Sequence, residues 1–105
     1  MRTNRKEIIT DELLSWPGVQ VQPHRFGGIE FAVGGKEIGH LHGDYLVDLL
    51  LPKSRRDAAI ADGKAEPHHI YPDSGWVSVY LRSEEAVVHA IELLRSNYER
   101  MSKEG

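Results

Sequence analysis

The sequence predicts an α+β fold in which an antiparallel meander of about five strands carries helices on one face, in the order α-β-β-β-β-α-β-α. Apolar residues recur at helical spacing near both ends of the chain, and segments of alternating polarity fill its middle. Gly-Gly and Gly-Asp pairs separate three of those segments, which is typical of strands joined by tight turns. A sheet built in this way needs helices to cover one face. With 105 residues, the chain is expected to form one domain over 1–105.

The first predicted element is a helix over about residues 5–15. Asn4 is a favourable N-cap, because its side chain can accept a bond from a free backbone N–H. Apolar residues follow at helical spacing, namely Ile9, Leu13 and Trp16. The pair Pro17-Gly18 then ends the helix, since proline restricts the residue before it and glycine permits a turn.

Two alternating segments follow this helix. Val19 and Val21 alternate with glutamines, as in a half-buried strand. The second strand carries its apolar residues on one face, namely Ile29, Phe31 and Val33. Gly34-Gly35 then predicts a two-residue hairpin, because the favoured hairpin turns need positive φ.

A third strand over residues 36–42 and a fourth over residues 46–51 are separated by the turn Gly43-Asp44. Regular alternation places the third strand's side chains on two faces, with Ile38, His40 and His42 on one and Glu37, Gly39 and Leu41 on the other. The fourth strand is almost continuously apolar apart from Asp48, so we expect it to be central in the sheet.

The remaining elements are a short helix, a long loop, a strand and a final helix. Pro52 stops the fourth strand, and Ser54 is the expected cap of a helix that runs to about Asp62. Residues 64–75 lack periodicity and form the loop, and a fifth strand begins at Trp76. Ser83 caps the last helix, whose apolar stripe consists of Val87, Ile91, Leu94, Tyr98 and Met101.

Composition narrows the function classes. The chain has no cysteine, which excludes disulfides and thiolate-ligated metals, and its formal net charge is −3. Nucleic-acid binders usually carry a basic face, whereas the basic residues here form two small clusters, Arg2/Arg5/Lys6 and Lys53/Arg55/Arg56. No apolar run approaches a membrane span or a signal peptide. A soluble cytoplasmic protein is therefore the expectation.

Histidines concentrate beside turn residues and give the strongest pointer to a site. His40 and His42 lie two residues apart on a strand, so both imidazoles point the same way and can converge on one metal ion. A third ligand would have to come from a later or neighbouring residue: His68, His69, Asp44 or Asp73. The competing interpretation is a solvated pair of histidines, or one histidine bonded to Asp44. Because two histidines separated by one residue are a common motif, we favour this interpretation over a metal site by about two to one.

Other candidates carry two interpretations each. Asp48 either faces water or points inward, where burial should raise its pKa and make it a general-base candidate. His68 and His69 are adjacent, and in an extended loop at most one of them should enter a site. Asp73 is first of all a turn residue, and Trp76 is a core residue or a pocket wall.

Five segments resemble the "luciferase domain" family of small bacterial and fungal proteins. They are Pro23-His24-Arg25-Phe26-Gly27-Gly28-Ile29-Glu30-Phe31, Glu37-Ile38-Gly39-His40-Leu41-His42-Gly43-Asp44, Leu46-Val47-Asp48, Ala65-Glu66-Pro67-His68-His69 and Pro72-Asp73-Ser74-Gly75-Trp76-Val77-Ser78. The resemblance covers roughly residues 13–100 and implies neither a specific activity nor light emission. The element order is also similar to that of MmcQ/YjbR-like proteins, which implies a twisted antiparallel sheet and, for some of them, DNA binding.

Our first functional hypothesis is a pocket in which a small, possibly anionic, molecule is bound or turned over. The candidate catalytic residues are His40, His42, Asp44 and His68. The candidate ligand-binding residues are Arg25, Asp48, His69, Asp73 and Trp76. No cofactor is predicted, although His40 and His42 could hold a divalent metal.

Two alternatives are a module that binds another protein, with scattered histidines, and a nucleic-acid-binding protein. A small molecule is the expected partner, a protein partner is the alternative, and neither nucleic acid nor a membrane is expected. The pocket hypothesis requires that His40, His42 and His68 come within about 5 Å of a common point.

Overall fold

The computed structural model describes residues 4–24 and 27–104, and there the chain forms three helices and six strands. In chain order these elements are α1 (Arg5–Leu14), β1 (Gln20–Pro23), β2 (Ile29–Val33), β3 (Lys36–His42), β4 (Leu46–Leu50), α2 (Lys53–Ala61), β5 (Glu66–Pro67), β6 (Trp76–Tyr80) and α3 (Glu84–Glu104).

All six strands join one antiparallel sheet in the order β1-β2-β3-β4-β6-β5. The predicted α+β class and the order of the long elements are confirmed, and β4 lies between β3 and β6 as its apolar sequence indicated. The sheet has one strand more than expected, because Glu66–Pro67, which was predicted to be part of a loop, forms a short strand that pairs with β6. Proline is tolerated there since β5 is an edge strand.

Two of the three predicted N-cap residues do cap their helices. The Asn4 side chain accepts the backbone N–H of Glu7, and the Glu7 carboxylate accepts that of Asn4, which forms a capping box. The Ser83 hydroxyl accepts the N–H of Ala86 at the start of α3. The predicted cap of α2 is wrong: that helix begins one residue before Ser54, with Pro52 at the N-cap position and no side-chain cap. None of the helices in the described part of the chain has the length and apolar character needed to span a membrane.

The hydrophobic core lies between one face of the sheet and the helices. Its fully buried members include Phe31, Leu41, Val47 and Val77 from the strands and Leu94 from α3. A Cβ added at Gly39 would lie 2.6 Å from Leu94 Cδ2, so the absence of a side chain lets α3 approach β3 closely. The opposite face of the sheet is therefore left for polar residues.

A β-bulge at Ile38 reassigns the faces of β3. Phe31 pairs with Gly39 and Ala32 with Glu37, so Ile38 is an extra residue between two register positions. Regular alternation had placed Ile38 with His40 and Glu37 opposite them. In the structure Ile38 is fully buried in the core, and the Glu37 carboxylate contacts the His40 ring. That part of the prediction is wrong, because one inserted residue reverses the alternation on one side of it.

Asn97 of α3 secures this irregularity from the core side. Its amide Nδ2 donates to the carbonyl of Ile38 at 3.0 Å and to that of Leu50 at 2.9 Å. Only 1% of the Asn97 residue surface is exposed. One buried amide thus bonds both the bulge and the end of β4 to the helix.

Candidate functional site

A row of polar side chains crosses the sheet on the face opposite the core. Cross-strand partners point to the same side of a sheet, and the pairing connects one residue from every strand. In sheet order these residues are Gln22, Glu30, His40, Asp48, Ser78 and Glu66. The Gln22 amide donates to the Glu30 carboxylate at 2.7 Å, and the Ser78 hydroxyl donates to Asp48 Oδ1 at 2.7 Å.

Four imidazoles surround the other oxygen of Asp48. The Nε2 atoms of His40 and His42 lie 3.5 and 3.2 Å from Oδ2, and those of His68 and His69 lie 3.5 and 3.7 Å from it. His40, His42 and His68 therefore share a common point well inside the required distance. The scatter that a protein-interaction module predicted for the histidines is not observed.

This cluster forms the floor of a cavity of about 820 Å³. Its walls include the aromatic rings of Tyr71 and Trp76 and the side chain of Ile70. Trp76 lies near two of the imidazoles, with ring centroids 5.5 Å from His40 and 6.0 Å from His68. A concave site with apolar walls and convergent polar groups is the usual form of a small-molecule pocket.

His40 lies between two carboxylates. Its Nδ1 is 2.7 Å from Glu37 Oε2, and its ring stacks on His24 with centroids 4.0 Å apart. Burial alone would lower the pKa of His40, but the hydrogen bonds and negative charges of Asp48 and Glu37 outweigh it and raise that pKa to about 9. The unliganded site therefore holds His40 as an imidazolium at neutral pH.

Asp48 is buried yet ionised. Only 1% of its residue surface is exposed, and burial alone would raise its pKa. Hydrogen bonds from His40 and Ser78, and the positive charges that His68 and His40 carry at low pH, outweigh burial, so the pKa of Asp48 falls to about 2. The inward orientation was one of the two predicted outcomes. The raised pKa expected with it is wrong, because the hydrogen bonds from His40 and Ser78 stabilise the charged form of Asp48.

The half-buried His42 and the buried His68 behave oppositely to His40. Burial lowers the pKa of His42 and of His68 despite the charge of Asp48. His68 Nδ1 also accepts the backbone N–H groups of Ile70 at 3.1 Å and Tyr71 at 3.2 Å. Both rings are therefore neutral near pH 7, which is the form that a metal ligand or a hydrogen-bond acceptor requires.

The loop that carries His68 and His69 is bent rather than extended. Their rings stack with centroids 4.3 Å apart, and both Nε2 atoms face Asp48. The expectation that at most one of them would enter the site is wrong, because adjacent side chains diverge only in extended backbone. His69 is the more open of the two, with 42% of its side chain exposed.

Three predicted site residues are not brought to the cluster. Asp44 is exposed, does not line the cavity, and accepts the backbone N–H of Lys6 at 2.8 Å, so it anchors the start of α1. Asp73 is exposed in the turn after Tyr71 and is absent from the cavity lining. Arg25 lies outside the described residues.

Several lining or supporting residues escaped the sequence analysis, namely His24, Glu30, Glu37, Tyr71 and Ser78. Ser78 could have been found, since it alternates with Trp76 on one face of a strand. Glu37 could not, because its position depends on the bulge. Tyr71 carried no signal in an aperiodic loop.

Three groups of donor atoms in the described residues could each hold a metal ion. The atoms within each group lie within 4.8 Å of one another, and the groups are His24/Glu37/His40, His40/His42/Asp48 and Asp48/His68/His69. Each group consists of two imidazoles and one carboxylate, which is an established ligand set for divalent metals. Only the second takes both histidines from one strand and combines them with the central carboxylate.

Fold and site together define a small α+β protein with a histidine–aspartate pocket on the open face of its sheet. The sequence profile of the Luciferase domain family matches residues 35–97, which is more than half of the chain. The chain belongs to this family, as the resemblance predicted. The matched stretch contains β3, β4 and β6 and all four imidazoles around Asp48. No curated protein and no solved structure matches the chain.

Proposed function

We propose that this protein binds a divalent transition-metal ion through His40, His42 and Asp48 and holds a small molecule against that ion in the pocket. The observation that carries the proposal is the convergence of two strand imidazoles on one buried, ionised carboxylate at the floor of the cavity. Nitrogen and oxygen donors of this kind suit zinc, iron, nickel and copper.

The distances support one ion shared by these three residues. Protein nitrogen and oxygen atoms bind such ions at about 2.0–2.2 Å, so two donors on one ion lie roughly 3–3.6 Å apart. The Nε2 atoms of His40 and His42 are 3.5 and 3.2 Å from Asp48 Oδ2. Both distances fall within that range, which is consistent with one ion shared by the two nitrogens and the oxygen.

Outer contacts support the same three residues. Metal-bound imidazoles usually donate their second N–H to a carboxylate, which orients the ring. Glu37 provides that carboxylate for Nδ1 of His40, and the Ser78 hydroxyl holds the second oxygen of Asp48. Glu37 thus orients His40, and Ser78 orients Asp48.

Three protein ligands leave coordination positions that face the cavity. A small molecule could occupy such a position while Tyr71 and Trp76 contact its apolar part. The ion would then act as a Lewis acid on the bound group. The chemical group that the small molecule presents to the ion would then determine the class of reaction.

Metal analysis of protein purified without a histidine tag tests the proposal. We expect close to one Zn²⁺ or Co²⁺ per chain after dialysis in wild-type protein and in the control His89→Ala, whose histidine lies on α3 outside the cavity lining. Asp48→Asn and His42→Ala should each lose most of the metal, because each removes a ligand. Equal metal content in wild type and Asp48→Asn would refute the assignment.

A second candidate function is a metal-free site in which the His40 imidazolium binds the small molecule or supplies it with a proton. It is supported by the two carboxylates that face the two ring nitrogens of His40 and raise its pKa to about 9. Ligand binding that survives chelation by EDTA, and that Glu37→Gln weakens, would favour this candidate over the metal site.

A further inference from the structure

We infer that His68 is a positioning residue whose Nε2–H donates a hydrogen bond to Asp48, and that it is not a third imidazole ligand of the metal. This inference rests on the proposed function, and it deepens it by dividing the imidazoles around Asp48 into two kinds. It also gives the loop over residues 68–75 a direct connection to the metal-binding carboxylate.

Hydrogen bonding fixes the tautomer of His68. A neutral imidazole carries one proton, on either Nδ1 or Nε2. Nδ1 of His68 accepts two backbone N–H groups, from Ile70 and Tyr71, so it carries none. The proton is therefore on Nε2, which lies 3.5 Å from Asp48 Oδ2. A metal ion could bind this Nε2 only by displacing the single proton of the ring, which would leave an imidazolate.

His40 differs from His68 because its Nδ1 faces an acceptor. That nitrogen lies 2.7 Å from the Glu37 carboxylate, and a carboxylate can only accept, so the Nδ1 proton stays in place when a metal ion displaces the Nε2 proton of the imidazolium. The Nε2 lone pair of His40 then faces the point that the ring shares with His42 and Asp48. The partner of the far nitrogen decides which ring can bind a metal.

The grouping of donor atoms agrees with this division. Among residues 4–24 and 27–104, no group of mutually close donors combines a histidine of β3 with a histidine of the loop. The two pairs form separate groups, and Asp48 is their common member.

The position of His68 explains what its donation does for the pocket. The residue is buried, its ring stacks on Tyr71 with centroids 5.4 Å apart, and it begins the loop that carries Ile70 and Tyr71. Those two cavity-wall residues are 63% and 59% exposed and are otherwise little covered. The bond from His68 to Asp48 therefore holds one wall of the cavity against its floor.

Nitrogen-15 NMR of histidine-labelled protein reads the tautomers directly, with Zn²⁺ as the probe. We expect His68 to show a protonated Nε2 and an unprotonated Nδ1 both before and after Zn²⁺ is added. The Nε2 signals of His40 and His42 should move on addition. Single histidine-to-glutamine variants assign the signals, and His89→Gln serves as the control outside the site.

Affinity for Zn²⁺ provides the second readout. A glutamine amide can still donate to Asp48, so His68→Gln should bind Zn²⁺ within about tenfold of wild type, whereas His68→Ala should lose about 10–100-fold, as is usual for an outer contact. His42→Gln should lose more than either, because it removes a ligand.

The outcomes separate the two proposals. If Zn²⁺ shifts Nε2 of His68 and His68→Gln loses as much affinity as His42→Gln, His68 is a ligand and the inference is overturned while the metal site stands. If Zn²⁺ shifts none of the three rings, the metal site fails. An Nδ1-protonated His68 in metal-free protein would overturn the inference by itself.

Discussion

The chemistry of single residues in this site is decided by their second partners. His40, His42 and His68 all face Asp48, yet the pKa of His40 is raised and those of His42 and His68 are lowered. The difference is the second carboxylate, since Glu37 contacts only the ring of His40 among these three. Burial by itself would have lowered the pKa of all three imidazoles.

The first prediction concerns the pH dependence of stability in metal-free protein. The folded-state pKa of His40, about 9, lies above its ordinary 6.5. Its contribution is therefore fully present below pH 6.5 and is lost as the pH rises through 9. We expect Glu37→Gln to lower the free energy of unfolding by roughly 1–2 kcal/mol near pH 6 and by much less above about pH 10.

Urea unfolding of both proteins in EDTA at the two pH values measures this difference. Lys64→Gln, a change at a half-exposed residue that follows α2 and does not line the cavity, is the control for loss of one surface ion pair. A Glu37→Gln effect that is equally large at both pH values would show that Glu37 does not act through a protonated His40.

At the scale of elements, the bulge in β3 and the packing of α3 form one unit. Gly39 follows the bulged Ile38, and its missing side chain makes room for Leu94. Asn97, one helical turn further along α3, donates to the Ile38 carbonyl. The helix therefore stabilises the register that brings Glu37 to His40, although α3 contributes no residue to the cavity lining.

The second prediction is that Asn97→Ala lowers the free energy of unfolding by about 2–4 kcal/mol. The change removes two buried hydrogen bonds and leaves the carbonyls of Ile38 and Leu50 without that donor. Chemical denaturation measures the loss, and Ser102→Ala at an exposed position of the same helix should change stability by less than about 0.5 kcal/mol. Similar small losses in both variants would contradict the role given to Asn97.

The third prediction is that Gly39→Ala costs about 1–3 kcal/mol, because overpacking strains a full core. The new methyl would lie 2.6 Å from Leu94 Cδ2 and 3.2 Å from the Asp48 carbonyl oxygen. In a Leu94→Ala background the same change should cost at least about 1 kcal/mol less, since the closest contact is gone. Additive costs in this double-mutant cycle would mean that the glycine serves another purpose.

At the scale of the whole molecule, the fold gives the sheet one face that packs in the core and one face that carries the candidate site. Helices and apolar strand residues occupy one side of the sheet, and the polar row with its histidines occupies the other. The proposed ligands lie on the paired strands β3 and β4, so the site exists only where the sheet is folded. Binding to the folded state alone must then stabilise the whole fold.

The fourth prediction follows from that linkage. Zn²⁺ at about one hundred times its dissociation constant should stabilise the wild type by about 2.7 kcal/mol. That gain corresponds to a rise in Tm of roughly 10–20 °C for a domain of this size. Asp48→Asn should show little rise, and Mg²⁺, which prefers oxygen ligands, should have little effect on either protein. Differential scanning calorimetry with and without each ion decides the matter, and an equal rise in both proteins would place the ion elsewhere.

Much of the architecture was predictable because its signals are local. Asn4, Pro17-Gly18 and Ser83 mark helix ends through bonds made within a few residues, and Gly34-Gly35 does form the hairpin with φ of 58° and 81°. The convergence of His40 and His42 was also local, since strand geometry alone directs residues two apart to one side. The sequence alone therefore determined the element order, the central strand and the position of the histidine pair.

Only the tertiary structure decided the composition of the site. Glu37 joins His40 because α3 packs against Gly39 and bonds to Ile38, more than fifty residues away in sequence. His68 and His69 reach Asp48 because a loop without periodicity bends, while Asp44 is held at the start of α1. Such placements depend on the free energy of packing between distant segments, which leaves no pattern in the neighbouring residues of the chain.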